Sequence, residues 1–334
     1  MSKAWRIATF ELLVAATLLH GADAHADPSE LPPSFAYNYG ETDTPRAAGM
    51  AGAVRALGAS TTAPYFNPAN LGLTRAYHIH PFVQITPEAL RHLYGGAIID
   101  STRRFSGGVS FIGGFQDADG IDRSHIDARI PLAFAISDSF HIGLGGRYMM
   151  LDQEGDGPLG DSRVSGGLKD NPADSGDDGR SALVHTVTFD AGFTIRATKE
   201  LHIGIVGQNL SYPNHSLLPT TVGGGIGYGS EDFSIEVDGV ADFNSYEDPT
   251  PRVMGGGEYL IADRFPIRAG YRFELMNGSG FDQSHQLSAG LGYLDPRFGV
   301  EAGVRRTLVG PSATIISVGF AIYLESFGIP IQDF

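Results

Sequence analysis

Segments of about 10–12 residues in which apolar and polar side chains alternate constrain the fold of this sequence most. In the stretch 265–275 every second side chain is apolar, whereas Arg268, Arg272 and Glu274 stand between them. Successive side chains of a strand point to opposite faces, so each segment has one apolar and one polar face. Strands of soluble proteins average five or six residues, while a tilted strand needs about ten to cross a bilayer. The pattern therefore predicts an all-β fold with membrane-spanning strands.

Short and long connections alternate between these segments: two residues separate 127–137 from 140–151, whereas the connection 152–181 is long. Membrane barrels have an even strand number, short periplasmic turns and long outer loops. We therefore predict a transmembrane antiparallel β-barrel of about 14 strands, with both chain ends in the periplasm. The predicted strands are 76–86, 91–100, 105–115, 127–137, 140–151, 182–195, 201–210, 219–229, 233–243, 251–260, 265–275, 285–294, 298–307 and 313–325.

Aromatic residues flank the short turns, which predicts a ring of aromatic side chains at one membrane boundary. These residues are Phe105, Phe140, Phe233, Phe265, Phe298, Tyr228, Tyr259 and Tyr293.

The first 26 residues have the pattern of a cleaved secretory signal peptide. Lys3 and Arg6 form the positive start, and the apolar run 12–19 is too short to cross a bilayer. Ala24-His25-Ala26 is a small-x-small cleavage site, which makes Asp27 the first mature residue. We therefore predict export to the outer membrane, where outer-membrane lipid and the barrel-assembly machinery are the expected partners.

Charge and cysteine content exclude several classes of function. The net charge of −15 argues against nucleic acid as a partner, because phosphate binding needs a basic face. The chain has no cysteine, so a disulfide, a thiolate metal site and a lipoprotein anchor are excluded. We predict no cofactor.

The block 45–72 interrupts the strand pattern and is rich in small residues. It resembles the start of mature FadL-type transporters of hydrophobic compounds and of PorV/PorQ-type outer-membrane proteins. The resemblance implies a barrel whose N-terminal segment folds into the lumen. We accordingly expect a plug at 27–75, a barrel at 76–325 and a short periplasmic tail at 326–334. The residues that carry the resemblance, and form the predicted plug motif, are Arg46, Gly49, Gly52, Asn67, Pro68 and Asn70.

The two families differ in function, and the motif does not separate them. Resemblance to FadL-type proteins implies transport of a hydrophobic small molecule, whereas resemblance to PorV-type proteins implies docking of secreted proteins or of a secretion machine. The sequence departs from both patterns at 58–62, where Gly-Ala-Ser-Thr-Thr replaces the usual acidic pair, and at Asn70, which replaces a glycine. Asn tolerates the left-handed conformation, so the second change is mild.

Charged residues recur on the polar faces of four of the last six predicted strands, 233–243, 251–260, 265–275 and 298–307. Three hypotheses cover them: paired charges that rigidify the wall, acids that bind Arg46 or Arg55 of the plug, and contacts with a solute. The predicted lumen charges are Glu236, Asp238, Asp242, Arg252, Glu258, Arg268, Arg272, Glu274, Glu301 and Arg305.

Motifs of enzymes and metal sites are weak. His78 and His80 share one face of the first strand, but no third metal ligand is evident. The acidic connection 152–181 has carboxylates that could bind calcium, although such runs are more often solvated loops. Neither His-Glu-x-x-His nor Gly-x-Ser-x-Gly occurs, so we predict neither a metal site nor an enzyme.

Overall fold

Fourteen antiparallel strands close into one barrel in the computed structural model, as the alternation predicts. The barrel closes where β1 pairs with β14, with Tyr77 opposite Leu324 and Ile85 opposite Ile316. Closure pairs the first strand with the last, so the wall has no free edge strand. The structure describes residues 42–117, 122–154, 180–213, 217–245, 248–276 and 282–324.

Strand order around the wall follows the sequence, because each strand pairs with its neighbours in the chain. Among the described residues no helix is long and apolar enough to cross a membrane. The strands are β1 Tyr77–Thr86, β2 Arg91–Asp100, β3 Phe105–Gln116, β4 Arg123–Ser137, β5 Phe140–Glu154, β6 Arg180–Arg196, β7 Leu201–Gln208, β8 Thr221–Gly229, β9 Phe233–Asp242, β10 Thr250–Ile261, β11 Phe265–Leu275, β12 Gln283–Leu294, β13 Phe298–Val309 and β14 Thr314–Leu324. Within the ranges given above, the helices are α1 Pro45–Gly49 and α2 Ala63–Phe66, and the 3-10 helices are Ser60–Thr62, Pro68–Leu73 and Pro87–Ala89.

Several sequence predictions concern residues outside the described ranges. These are the signal peptide 1–26, the first part of the predicted plug at 27–41, most of the acidic connection 152–181, and the tail 326–334.

Side chains that face away from the lumen are apolar and exposed. Phe105, Phe111 and Leu144 are 61%, 55% and 60% exposed. At the end of the barrel with short turns, the Tyr293 ring lies 5.4 Å from that of Phe265 and 5.9 Å from that of Phe298. An apolar surface of this extent is rare on proteins dissolved in water, whereas a lipid-facing barrel requires it.

Residues 42–73, here called the inner segment, lie against the inward-facing side of the wall. Thr44 begins α1 by accepting a hydrogen bond from Ala47 N at 3.4 Å, and Pro45 takes the first helical position. The chain then turns at Gly52, whose φ of +83° favours glycine. Most residues of the inner segment are buried, so it is packed into the barrel.

Glycines of the wall let the inner segment approach the barrel backbone closely. A Cβ on Gly192 would overlap Asn67 Oδ1, and one on Gly204 would overlap the carbonyl oxygen of Arg55. A Cβ on Gly49 of the inner segment would lie 3.1 Å from a β12 backbone carbon. Part of the high glycine content is therefore explained by contact between two backbones.

Replacing Gly192 should loosen this contact. We expect Gly192→Ala to destabilise the folded barrel by about 1–3 kcal/mol, because the new methyl group overlaps Asn67. The measurement is the temperature at which the compact band on cold SDS–PAGE converts to the unfolded band. Gly239→Ala is the matched control, since a Cβ there would meet nothing within 4 Å. Equal transition temperatures for the two variants would contradict the prediction.

Candidate functional site

The inner face of β9 presents two buried carboxylates to the inner segment. Asp238 Oδ2 accepts hydrogen bonds from the N–H groups of residues 54 and 55, both at 3.0 Å, and lies 3.3 Å from Arg55 Nη1. Glu236 accepts the next two N–H groups, of residues 56 and 57, at 2.5 and 2.9 Å. Hydrogen bonds to an ionised acceptor are stronger than neutral ones. This carboxylate pair therefore holds four consecutive peptide groups of the inner segment.

Two further ion pairs join the start of the inner segment to the wall. Arg46 Nη2 lies 3.3 Å from Glu258 Oε1. Asp43 accepts hydrogen bonds from Arg305 at 3.1 and 2.9 Å. Arg46 and Arg55 of the predicted plug thus each lie beside a predicted lumen acid, whereas sequence analysis missed Asp43.

The remaining predicted lumen charges pair with one another along the wall. This arrangement satisfies buried charges that would otherwise destabilise the fold. The pairs are Asp242 with Arg252 at 2.8 Å, Arg252 with Glu274 at 3.9 Å, Arg272 with Glu274 at 3.0 Å, Arg268 with Glu258 at 2.5 Å, and Arg268 with Glu301.

Asn67 and Asn70 link the second half of the inner segment to β6. Asn67 Nδ2 donates to Arg55 O at 3.0 Å and to Thr194 Oγ1 at 3.2 Å. Asn70 Nδ2 also donates to Arg55 O, at 3.0 Å, while Thr194 Oγ1 donates to Asn70 Oδ1 at 2.6 Å. Asn67 in addition begins the 3-10 helix Pro68–Leu73 through its own side chain. The two asparagines therefore tie both halves of the inner segment to one point of the wall.

A second buried charge cluster, on β4–β6, was not predicted from the sequence. Asp127 accepts hydrogen bonds from Arg129 at 3.1 and 2.8 Å and from Arg147 at 3.3 and 2.7 Å. Arg147 also donates to Asn209 Oδ1 at 3.1 Å, and Asp190 accepts a bond from Asn209 N at 2.8 Å. One carboxylate thus bridges two arginines on neighbouring strands.

Between these charged regions the lumen has an apolar sector on β1–β4. Each of its side chains is at most 4% exposed, so the sector is packed between the wall and the inner segment. Burial of this surface contributes to holding the inner segment in place. Its wall residues are Phe82, Leu93, Ala97, Ile99, Ile112 and Ala133, and its inner-segment residues are Met50, Val54, Ala63, Tyr65 and Leu71.

The pairing of β3 with β4 is interrupted beside the apolar sector. Residues 105–107 pair with 134–132, and pairing resumes only where Ser110 lies opposite Arg129. Pro131 lies within the gap and has no N–H to donate. On the outer face of the gap Val109 and Ile130 are 52% and 59% exposed. The interruption therefore lies beside the apolar sector and has exposed apolar side chains on its outer face.

A similar interruption separates β1 from β14 at His80 and Pro81. There His80 and Pro45 pack directly over Gly319, since a Cβ on Gly319 would meet both. The inner side of this second gap is thus covered by an imidazole ring and by α1.

His78 and His80 contact the inner segment. His80 Nδ1 lies 3.0 Å from Thr61 Oγ1, and His78 contacts Ser60 and packs edge-on against Tyr323, with ring centroids 4.9 Å apart. Across the described ranges, no three or more His, Asp or Glu side chains are placed together to hold a metal ion.

Together, these features define a closed 14-strand barrel with a packed lumen. No family model and no curated protein matches the chain. Several solved structures are similar to this chain. The CymD monoaromatic hydrocarbon channel is 15% identical to it, with a TM-score of 0.63, and the alignment covers 87% of this chain and 99% of that one.

A Pseudomonas aeruginosa FadL homologue is 13% identical with a TM-score of 0.63, over 84% of this chain and 98% of that one. The P. putida toluene transporter TodX is 12% identical with a TM-score of 0.57, over 86% of this chain and 100% of that one. Identities this low establish similarity of fold. The chain therefore has a FadL-like barrel fold.

Proposed function

We propose that this chain is an integral outer-membrane barrel through which hydrophobic small molecules pass, with residues 27–75 acting as its plug. The observation that carries the proposal is the apolar sector of the lumen, which ends at the interrupted pairing between β3 and β4. Water-soluble solutes need a polar path, whereas a hydrophobic solute is favoured by an apolar one. Solved channels of the same fold are described as conducting monoaromatic hydrocarbons, which supports this choice of solute.

The outer surface supports the membrane location. Its exposed apolar side chains, such as Phe105 and Leu144, suit contact with lipid. The signal-peptide pattern at 1–26 supports export, after which the barrel-assembly machinery would insert the chain into the outer membrane.

Of the two wall interruptions, the one between β3 and β4 suits a lateral exit better. Its inner side opens onto the apolar residues Ile99 and Ala133, and its outer side carries Val109 and Ile130. The charged side chain at the edge of this gap, Arg129, is paired with Asp127 at 2.8 Å, so the route for a hydrophobic solute is otherwise formed by apolar side chains. No feature of the described residues favours the PorV-type docking function, and two of the solved structures named above, CymD and TodX, are described as a channel and a transporter.

Uptake of radiolabelled toluene by a Gram-negative host without a FadL-type channel of its own tests this proposal. Cells that make the barrel should accumulate toluene faster than cells that lack it. Ile112→Asn places an amide in the apolar sector, and we expect uptake to fall roughly tenfold, the effect of about 1.4 kcal/mol. Val240→Asn is the control, because Val240 is equally buried but lies on β9 outside the sector.

Both variants are first checked for folding by the mobility of unheated samples on SDS–PAGE. Equal toluene uptake with and without the wild-type barrel would reject transport of such solutes. Equal losses in the two variants would reject the apolar sector as the path.

A further inference from the structure

Tyr65 of α2 occupies the centre of the apolar sector. Its ring packs edge-on against Phe82, with centroids 5.9 Å apart and an interplanar angle of 88°. Leu93 and Ile112 of the wall belong to the same buried cluster. Tyr65 is therefore the largest side chain that the inner segment places against the apolar wall.

The hydroxyl group of Tyr65 lies close to the interruption between β3 and β4. It donates a hydrogen bond to Gly96 O at 3.4 Å and lies beside Ser110, where pairing between β3 and β4 resumes. Burial raises the pKa of the Tyr65 phenol well above its ordinary value, so the group stays neutral. A neutral aromatic ring thus covers the inner side of the interruption.

The backbone around Tyr65 is held independently of its side chain. Tyr65 O accepts hydrogen bonds from Gln208 Nε2 at 2.9 Å and from Arg129 Nη1 at 3.4 Å, and Arg129 also donates to Pro64 O at 3.3 Å. The Arg129 guanidinium lies 5.1 Å from the centre of the Tyr65 ring. The Tyr65 side chain itself has a long hydrogen bond to Gly96 O, a hydroxyl contact with Ser110, the cation–π contact with Arg129 and apolar contacts with Phe82, but no ion pair. Rotation of the ring therefore costs less free energy than movement of the whole inner segment, because the ion pairs between the inner segment and the wall stay intact.

We propose that Tyr65 is the selectivity-determining side chain of the apolar path, and that its ring sets the upper size of the solute that passes. The inference rests on the proposed transport function and adds to it the residue that limits the solute. A single-ring hydrocarbon passes when the Tyr65 ring rotates by a small amount. Tyr65, Phe82 and Ile112 are packed together and at most 4% exposed, so a solute with three fused rings needs a much larger displacement of the ring and is excluded.

Competition between two solutes tests the proposal. Uptake of toluene and of phenanthrene is measured in cells making the wild-type barrel or Tyr65→Ala, and the phenanthrene-to-toluene ratio is compared. We expect the ratio to rise about tenfold in Tyr65→Ala, the scale of discrimination that a few methylene groups provide. Tyr65→Phe keeps the ring and should keep the wild-type ratio, whereas the larger Tyr65→Trp should lower toluene uptake.

Met254→Ala is the matched control, because it truncates another buried inward-facing side chain, on β10 outside the apolar sector. It should leave the ratio unchanged. If Tyr65→Ala does not fold, Tyr65→Leu is used, and a smaller rise in the ratio is expected. An unchanged ratio in the folded Tyr65 variant, or an equal rise in Met254→Ala, overturns the inference. Absence of toluene uptake by the wild-type barrel instead rejects the transport function itself.

Discussion

The double variant Glu236→Gln/Asp238→Asn is expected to release the inner segment and open the barrel to ions. Together the two carboxylates accept hydrogen bonds from four consecutive peptide N–H groups and pair with the Arg55 guanidinium. Each side-chain amide keeps one oxygen that can accept a hydrogen bond. Its NH2 group, however, would face the peptide N–H groups of the inner segment, which are donors as well. Arg55 would also lose its ion pair with Asp238. Breaking a buried ion pair costs about 3–5 kcal/mol, which raises the released population at least about a hundredfold.

Conductance of single barrels in planar lipid bilayers measures this release, and limited proteolysis locates it. The variant should show frequent open events and cleavage within residues 42–73, whereas the wild-type barrel should stay closed. Glu274→Gln is the matched control, because Glu274 is a buried lumen acid whose ion pairs are with wall residues Arg252 and Arg272. If the double variant stays closed and resists proteolysis as the wild-type barrel does, other contacts hold the inner segment.

The barrel could be predicted from the sequence because lipid imposes a regular pattern on each strand. Predicted strands 91–100 and 265–275 coincide with β2 and β11. The prediction was poorest where strands leave the expected apolar band: β4 begins at Arg123 and not at 127, and β5 continues to Glu154. Beyond the band both faces of a strand meet polar surroundings, so alternation no longer marks it.

The contacts of the lumen could be predicted only in part. Alternation placed Glu236, Asp238 and Glu258 on the inner face of their strands, but it does not show which of them face the inner segment. Which acids contact the inner segment depends on the path of residues 42–73, and the sequence of these residues has no strand or helix periodicity. Tyr65 was missed for the same reason, since only folding brings it to Ser110.

The charge cluster around Asp127 could have been predicted from the sequence. Arg123, Asp127 and Arg129 lie at odd-numbered positions, so they share one face of β4, and Arg147 faces Arg129 in the register of β5. The predicted strand 127–137 left out Arg123, but Asp127, Arg129 and Arg147 lie within predicted strands, and we named lumen charges on the later strands alone.

Asp127→Asn is expected to destabilise the barrel more than any other single neutralisation of a wall acid. Its two oxygens each accept a bond from both Arg129 and Arg147, whose Cα atoms are direct partners across β4 and β5. Without the carboxylate, two buried guanidinium groups face each other, and the more distant Asp190 is left to offset their charges. A loss of about 3–5 kcal/mol in the free energy of unfolding follows, because burial leaves little water to screen the repulsion.

Urea unfolding of the barrel in lipid vesicles, followed by cold SDS–PAGE, measures this loss. The second variant Asp127→Asn/Arg147→Gln decides the cause, since it removes one of the two facing charges along with the acid. If repulsion between Arg129 and Arg147 causes the loss, the double variant should be more stable than Asp127→Asn alone. Equal or greater loss in the double variant would mean that Asp127 acts through its hydrogen bonds and not through its charge, because a neutral glutamine cannot repel Arg129.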